Sequence, residues 1–369
     1  MDKIIVITSN IAPYRLKWCE ELARFYDVTV AYTKDHDFER DDRWLKNSSE
    51  YCHIKKLKND SNIYDPLCFD VIDLIKNNPD SLLIFDGYGP KTNLLGILYC
   101  FIRKRFNIVN VDGYPTERKK SSVKEIVKKI IIGKLCSYFF CSGKGARDYL
   151  KSYGAKDDNI CVHNFSSIDE KDIVSKPISR TVKNRIRREL NIDTDKRIVL
   201  GAGRFLKLKR FDDLIKAVLK AKRDCVLYLV GGKPNQEYLD LVKDSDKVRF
   251  VDFVMPEDVA KYYKAADLFV LPSDTDVWGL VLNEAMAQGL PVIASDSVVA
   301  GMDLIDGNGK IFKTYDVDEL SKDIDYCLDD KTNTRMSKRS IEIIRNFTIQ
   351  GMVERQRPVI DSFFKKAKL

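Results

Sequence analysis

Short apolar runs rich in β-branched residues alternate with longer segments in which apolar positions recur every three or four residues, almost throughout the chain. That alternation is the pattern of βα units, whose parallel strands are covered on both faces and so read as unbroken apolar runs. In the first half, KIIVITS (3–9), DVTVAYT (27–33), SLLIFDG (81–87), NIVNVDG (107–113), SYFFCSG (137–143) and NICVHNF (159–165) predict strands. In the second half, RIVLGAG (197–203), CVLYLVGG (225–232), KVRFVDF (247–253), DLFVLPS (267–273), PVIAS (291–295) and GKIF (309–312) do the same. Residues 166–190 lie between the two sets, are polar and carry no strand pattern, which places a domain boundary near 166–175. The expected fold class is α/β, with two doubly wound, Rossmann-like domains over 1–170 and 171–345 facing each other across a cleft. In such sheets ligands bind outside the carboxyl ends of the strands, so the strand-to-helix loops are where chemistry is sought.

Length and composition agree with this picture. A chain of 369 residues exceeds one ordinary core, and 44% hydrophobic residues fill two. The nine cysteines are scattered without a CxxC pair, so neither a disulfide framework nor a zinc site is indicated. His36, His53 and His163 form no HExxH or close pair, which argues against a histidine metal site or a Ser-His-Asp hydrolase. The start MDKIIVITSN lacks a secretory pattern, and the longest apolar run, NLLGILYCFI (93–102), is half of the roughly 20 residues that span a bilayer. A cytoplasmic protein is expected.

Charge changes the picture in one place. The formal net charge is +8, and residues 101–135 alone hold ten Lys/Arg against three Asp/Glu, a local net of +7. Within them Val123, Ile126, Val127, Ile130, Ile131 and Leu135 follow helical spacing, flanked by Lys124, Lys128, Lys129 and Lys134. Two readings stand: a sheet-covering helix, or a contact with an anionic membrane that would make the protein peripheral on the inner face of the cell membrane. Arg103, Lys104, Arg105, Arg118, Lys119 and Lys120 favour the second. No nucleic-acid motif accompanies the patch. The sequence does not fix an oligomeric state.

Three loops of the second half carry unusual chemistry. In GAGRFLKLKRFDDLIKAV (201–218), Leu206 replaces the third glycine of a dinucleotide turn, and Arg204 and Lys209 leave the strand end instead. Two cations there suit a diphosphate, though spacing alone fits solvated surface charges equally well. In DTDVWGLVLNEAMAQGLPVIAS (274–295), Asp276 precedes a helix pattern and Glu284 follows eight positions later, about 12 Å along if the whole segment were helical. Amides near Gly279, Leu280 and Val281 would face phosphates, and the two carboxylates suit hydroxyl groups at either end of a nucleoside diphosphate-sugar. Taken singly, Asp276 reads as a helix cap and Glu284 as a solvated position. In VDFVMPEDVAKYYKAAD (251–267), the turn at Phe253 and Val254 reads as a simple βα turn or as a place where a base meets main-chain groups. The triplet Asp274-Thr275-Asp276 matches a metal-holding D-x-D pattern, but the chain contains six such triplets, so the match supports no metal.

PSDTDVWGLVLNEAMAQGLPVIASD resembles the E-x7-E signature of the retaining glycosyltransferases of family 4, and GRFLKLKRFDDLIKA resembles that family's phosphate loop. Fainter similarity runs from ITSNIAPYRLKWCEELARFYDVTV to the C-terminal segment. The resemblance implies a GT-B fold with a crossover helix over 346–369 packing back on the first domain. It implies that Arg204 and Lys209 bind the donor diphosphate, Glu284 the ribose and Asp276 the hexose, with Phe253 and Val254 near the base. The family usually has Glu at the site of Asp276 and Gly at that of Arg210. Its N-terminal-domain histidine has no match, and Asp86 and Asp112 are the polar residues at comparable strand ends. The implied substrate is a nucleoside diphosphate-sugar, UDP- or GDP-linked, with no cofactor and no metal. The implied acceptor is a glycan or a polyprenyl-diphosphate-linked sugar of surface polysaccharide synthesis. A nucleotide-sugar epimerase of the same fold, or a non-catalytic sugar-nucleotide-binding subunit, would share the donor residues.

Overall fold

The computed structural model describes residues 1–34, 48–58, 62, 64–114, 122–243 and 245–367. Arg118, Lys119 and Lys120 of the basic patch, and the D-x-D triplet at 35–37, lie outside these described residues. The chain forms two compact units, one from residues up to 167 joined by 349–367, the other from 168–348.

The first unit is built on a seven-stranded parallel sheet of β1 (Lys3–Thr8), β2 (Asp27–Tyr32), β3 (His53–Lys56), β4 (Leu82–Asp86), β5 (Asn107–Val111), β6 (Tyr138–Cys141) and β7 (Ile160–Val162). Its strand order is β3-β2-β1-β4-β5-β6-β7. The second unit holds six parallel strands, β8 (Arg197–Ala202), β9 (Cys225–Val230), β10 (Val248–Val251), β11 (Leu268–Leu271), β12 (Val292–Ser295) and β13 (Gly309–Phe312). Their order is β10-β9-β8-β11-β12-β13. Each sheet reverses its winding once, between β1 and β4 and between β8 and β11, and such a reversal opens a crevice at the strand ends. The central strands are buried along almost their whole length, which is why their sequences are unbroken apolar runs.

The helix Ile349–Ala367 belongs to the first unit. Met352, Gln356, Ile360 and Phe364 recur every four residues and are buried. Trp18 Nε1 donates to Gln356 Oε1 at 2.8 Å, and Tyr26 donates its hydroxyl to Asp361 at 2.6 Å. With its carbonyl taken by Trp18, Gln356 donates through Nε2 to Nδ1 of buried His163. Burial, with Arg15 and Arg355 adding repulsion, lowers the His163 pKa from 6.5 to about 3. The unfolded chain therefore takes up a proton below pH 6.5 that the folded chain refuses. Stability from this site is complete above pH 6.5 and is lost as the pH falls towards 3. Between pH 7 and 4.5 the wild type should lose on the order of 2 kcal/mol more than His163→Asn, which keeps an acceptor but no titrating ring. Urea unfolding of both proteins at the two pH values measures it; equal losses would refute the assignment.

The basic segment differs from expectation. Arg105 does not face outward: its guanidinium donates to the carbonyls of Ile75, Asn78 and Ser81 at 2.7, 3.1 and 2.8 Å. The helix Ser122–Ile130 does not cover the sheet with its apolar side, because Val123, Ile126, Val127 and Ile130 are all exposed.

Candidate functional site

At the reversal of the second sheet, the loops after β8 and β11 meet. Beyond β8 the backbone of Gly203 runs against Gly231, where a Cβ would sit 2.5 Å from the Gly203 carbonyl oxygen, so only glycine fits that strand end. Phe205 then anchors the loop, with edge contacts to Phe211, Tyr238 and Phe250 at 5.5, 5.9 and 6.1 Å. This anchor sets half-buried Arg204 on one side and the short turn Lys207–Lys209 on the other. Arg210 follows with φ +50°, a left-handed conformation that costs a non-glycine residue about 1–2 kcal/mol. That accounts for the family's usual glycine there. Here the guanidinium is held by Asp212 at 3.0 Å and Asp213 at 2.8 Å and lies 4.9 Å from the Tyr315 ring centre.

Lys209 Nζ lies 2.7 Å from Asp276 Oδ2, and the two side chains are 16% and 15% exposed. The sequence assigned them to different parts of one ligand; the structure joins them directly. Asp276 is not a helix cap. Its amide and carbonyl bond to Ser297 and Val299, forming a bridge to Val298, and the cap residue is Gly279. Gly279 has φ +104°, and a Cβ on it would come within 2.9 Å of Leu271 and 3.1 Å of Val298. Buried Trp278 locks this turn by donating from Nε1 to Asn283 Oδ1 at 3.0 Å.

The helix runs only over Leu280–Ala287, so residues 276–279 contribute no helical rise and Glu284 lies about 6 Å along from Leu280. The 12 Å expected for an all-helical segment is thus corrected. No side chain caps the helix start, which leaves the first-turn amides of Leu280 and Val281 to an outside acceptor. Glu284 is not a solvated position either: it is half-buried and accepts from Tyr263 at 3.0 Å. Burial first, and Glu284 second, push the Tyr263 hydroxyl pKa well above 10, so it remains a donor. Tyr263 was not singled out in the sequence; its signal was a polar-tipped aromatic on the buried side of Pro256–Ala265. Phe253 and Val254 lie just past β10, two strands from β8, with Phe253 exposed and Val254 half-buried.

Asp274 accepts from Tyr315 at 3.3 Å, so both acids of the 274–276 triplet already have partners. Among the described residues no group of three His, Cys, Asp or Glu side chains is placed to hold a metal.

A second polar group occupies the reversal of the first sheet. Arg15, buried on the helix Pro13–Ala23, reaches Asp86 at 2.7 Å and also Asp112. Thr8 donates to Asp86 at 2.9 Å, and Asn110 donates to Asp86 at 3.2 Å and to Asp112 at 2.7 Å. Burial raises the Asp112 pKa above the usual carboxylate range although Arg15 pulls it down. The structure thus brings Asp86 and Asp112 together, with about a fifth of each side chain exposed. Arg15, which unites them, was missed. Its signal was a lone arginine among the inward positions Leu16, Trp18, Cys19 and Leu22. Each aspartate opens an Asp-Gly-Tyr turn, and the tyrosines also converge. Tyr88 and Tyr149 hydroxyls lie 3.0 Å apart, and the Tyr114 ring stacks on Tyr149 at 5.5 Å.

Two parallel sheets of this topology with a long C-terminal helix are the architecture of GT-B glycosyltransferase structures. Within it, residues 182–344, which contain the loops after β8, β10 and β11, match the model of the family Glycosyl transferases group 1. Anabaena HepE in complex with UDP is similar to the chain with a TM-score of 0.79 at 16% identity, over 98% of this chain and 100% of that one. Its complex with UDP-glucose gives a TM-score of 0.76 at 17% identity, over 98% and 100%. The D-inositol 3-phosphate glycosyltransferase of Corynebacterium diphtheriae is 27% identical over 230 residues, covering 58% of this chain and 52% of that protein. The chain spans about half the length of the curated relatives it matches.

Proposed function

We propose that the chain is a retaining glycosyltransferase of family 4 that moves a sugar from a nucleoside diphosphate-sugar, UDP-linked in the first instance, to a glycan or lipid-linked acceptor in surface polysaccharide synthesis. The observation that carries this reading is the Lys209–Asp276 pair at the reversal of the second sheet, beside an uncapped helix start and a Tyr263-oriented Glu284. The UDP and UDP-glucose complexes of HepE support a uridine donor. In this reading the diphosphate takes Lys209, Arg204 and the amides of Leu280 and Val281, while Glu284 accepts from the ribose. Phe253 and Val254 border the base, and Asp276 turns to the hexose hydroxyls.

The bond between the anomeric carbon and the β-phosphate oxygen breaks as an acceptor hydroxyl attacks the same face. The hydroxyl proton passes to the departing phosphate oxygen, so the configuration is kept and the nucleoside diphosphate leaves. The negative charge that grows on the leaving group is what the two cations and the helix start stabilise. Asp86 and Asp112 accept hydrogen bonds from the acceptor's hydroxyls, with Arg15 and Asn110 fixing their orientation.

A thermal-shift screen against UDP- and GDP-sugars tests the donor, since a ligand of the folded state raises its melting temperature. No shift with any nucleotide-sugar would refute the reading, and epimerised sugar nucleotide formed without acceptor would replace it with an epimerase. Activity is expected to persist in excess chelator, because the cations and amides serve the diphosphate. Loss on chelation with recovery on adding Mn²⁺ or Mg²⁺ would overturn the metal-independent step.

A further inference from the structure

The helix Ser122–Ile130 is inverted relative to a sheet-covering helix. Two of its polar residues face the domain: Glu125 accepts from the Tyr153 hydroxyl, and Lys128 pairs with Glu125 at 3.4 Å. Lys128 also lies 5.9 and 5.4 Å from the ring centres of Tyr149 and Tyr153. Its aliphatic residues face solvent, with Val123 68%, Ile126 59%, Val127 47% and Ile130 44% exposed. At 100° per residue these four occupy an arc of about 100°, and Lys124 and Lys129 border it on opposite sides. The helix runs into the turn Ile131–Leu135, which packs on the helix Lys91–Ile102. That helix also exposes Phe101 and Ile102.

A lone exposed aliphatic residue needs no explanation, but a stripe of four on one helix marks a surface that something covers. Charge selects the occupant. The only acid of the helix, Glu125, is turned inward, while Lys124, Lys129 and Lys134 are exposed around the stripe. An apolar face between lysines matches an anionic lipid surface, in which aliphatic groups sink below the headgroups and ammonium groups reach the phosphates. Among the described residues no helix is long and apolar enough to cross a membrane. A nine-residue helix, about 14 Å long, suits lying in the interfacial plane. We infer that Ser122–Ile130 docks the first unit on an anionic membrane by inserting Val123, Ile126, Val127 and Ile130 between lipid headgroups. The inference deepens the proposed function, on whose lipid-linked acceptor reading it rests, by naming the surface where that acceptor is met.

The test is flotation of the full chain with vesicles of phosphatidylcholine, with and without phosphatidylglycerol, in the absence of donor and acceptor. The chain should float with the anionic vesicles only. Lys124→Ala and Lys129→Ala should each weaken binding about fivefold. Ile126→Asp with Val127→Asp should abolish it at low salt, with melting temperature and UDP binding unchanged because both sites are exposed. Wild-type protein that ignores anionic vesicles, or an aspartate variant that binds as well as wild type, would overturn the inference. So would a concentration-dependent dimer in sedimentation that the aspartate variant dissolves, since the stripe would then be an interface between copies. Failure of UDP binding, measured separately, would strike the donor reading and leave the flotation result untouched.

Discussion

Arg204→Ala and Lys209→Ala are each expected to lower turnover by about 10²-fold or more, the scale of losing one donor that meets charge developing in a transition state. The reason lies in where the negative charge goes. In the proposed transfer the β-phosphate oxygen gains charge as the sugar departs, and Lys209, in the turn after β8, is the cation held by Asp276 just ahead of the uncapped helix start. Neither replacement should unfold the second unit. Phe205 keeps the loop through its three ring contacts, which involve neither cation. Asp276, left without Lys209, is partly open to water, so its charge is not stranded in a core. Lys209→Arg, which keeps the charge, should recover part of the loss. Initial rates with purified variants, beside their melting curves, decide it. Near-normal turnover in both alanine variants would sink the diphosphate clamp.

The strands were legible because a parallel strand buried on both faces leaves little but apolar residues, as in CVLYLV of β9 and LFVL of β11. The strand β3 was not, for a matching reason. HIKK is an edge strand that pairs with β2 through its backbone while His53, Lys55 and Lys56 are exposed, so no apolar signal marks it. Helical spacing in residues 123–130 was equally plain, but periodicity gives the existence of a face and not its direction. The exposure of Val123, Ile126, Val127 and Ile130, with Glu125 and Lys128 set against Tyr149 and Tyr153, shows that the apolar side looks outward. At the reversal of the second sheet, Arg204, Lys209, Asp276 and Glu284 could each be singled out from the sequence. The sequence did not show the Lys209–Asp276 pair or the Tyr263–Glu284 bond, because residues 67 and 21 positions apart meet only through the sheet.

Loss of Asp276 and loss of Glu284 should differ in kind. Glu284 is assigned to the ribose, which donor and product share. Glu284→Ala should therefore weaken UDP and UDP-sugar alike, by about tenfold or more for a charged hydrogen bond of roughly 1.5–3 kcal/mol. Glu284→Gln is the gentler variant, because the amide oxygen can still accept from buried Tyr263. Asp276 is assigned to the hexose, which only the donor carries, yet without ligand it holds Lys209 at 2.7 Å. A phosphate that reaches the lysine competes with that carboxylate for the ammonium charge. Asp276→Ala removes both the hexose contact and the competitor, so UDP affinity should stay the same or rise while use of the UDP-sugar falls. Asp276→Glu, with one more carbon on a backbone pinned to Val298, should keep the Lys209 pair and part of the activity. Calorimetric titration of each variant with UDP separates the two roles. If Asp276→Ala loses UDP affinity as severely as Glu284→Ala, Asp276 acts by positioning Lys209 for the diphosphate and the hexose assignment is wrong.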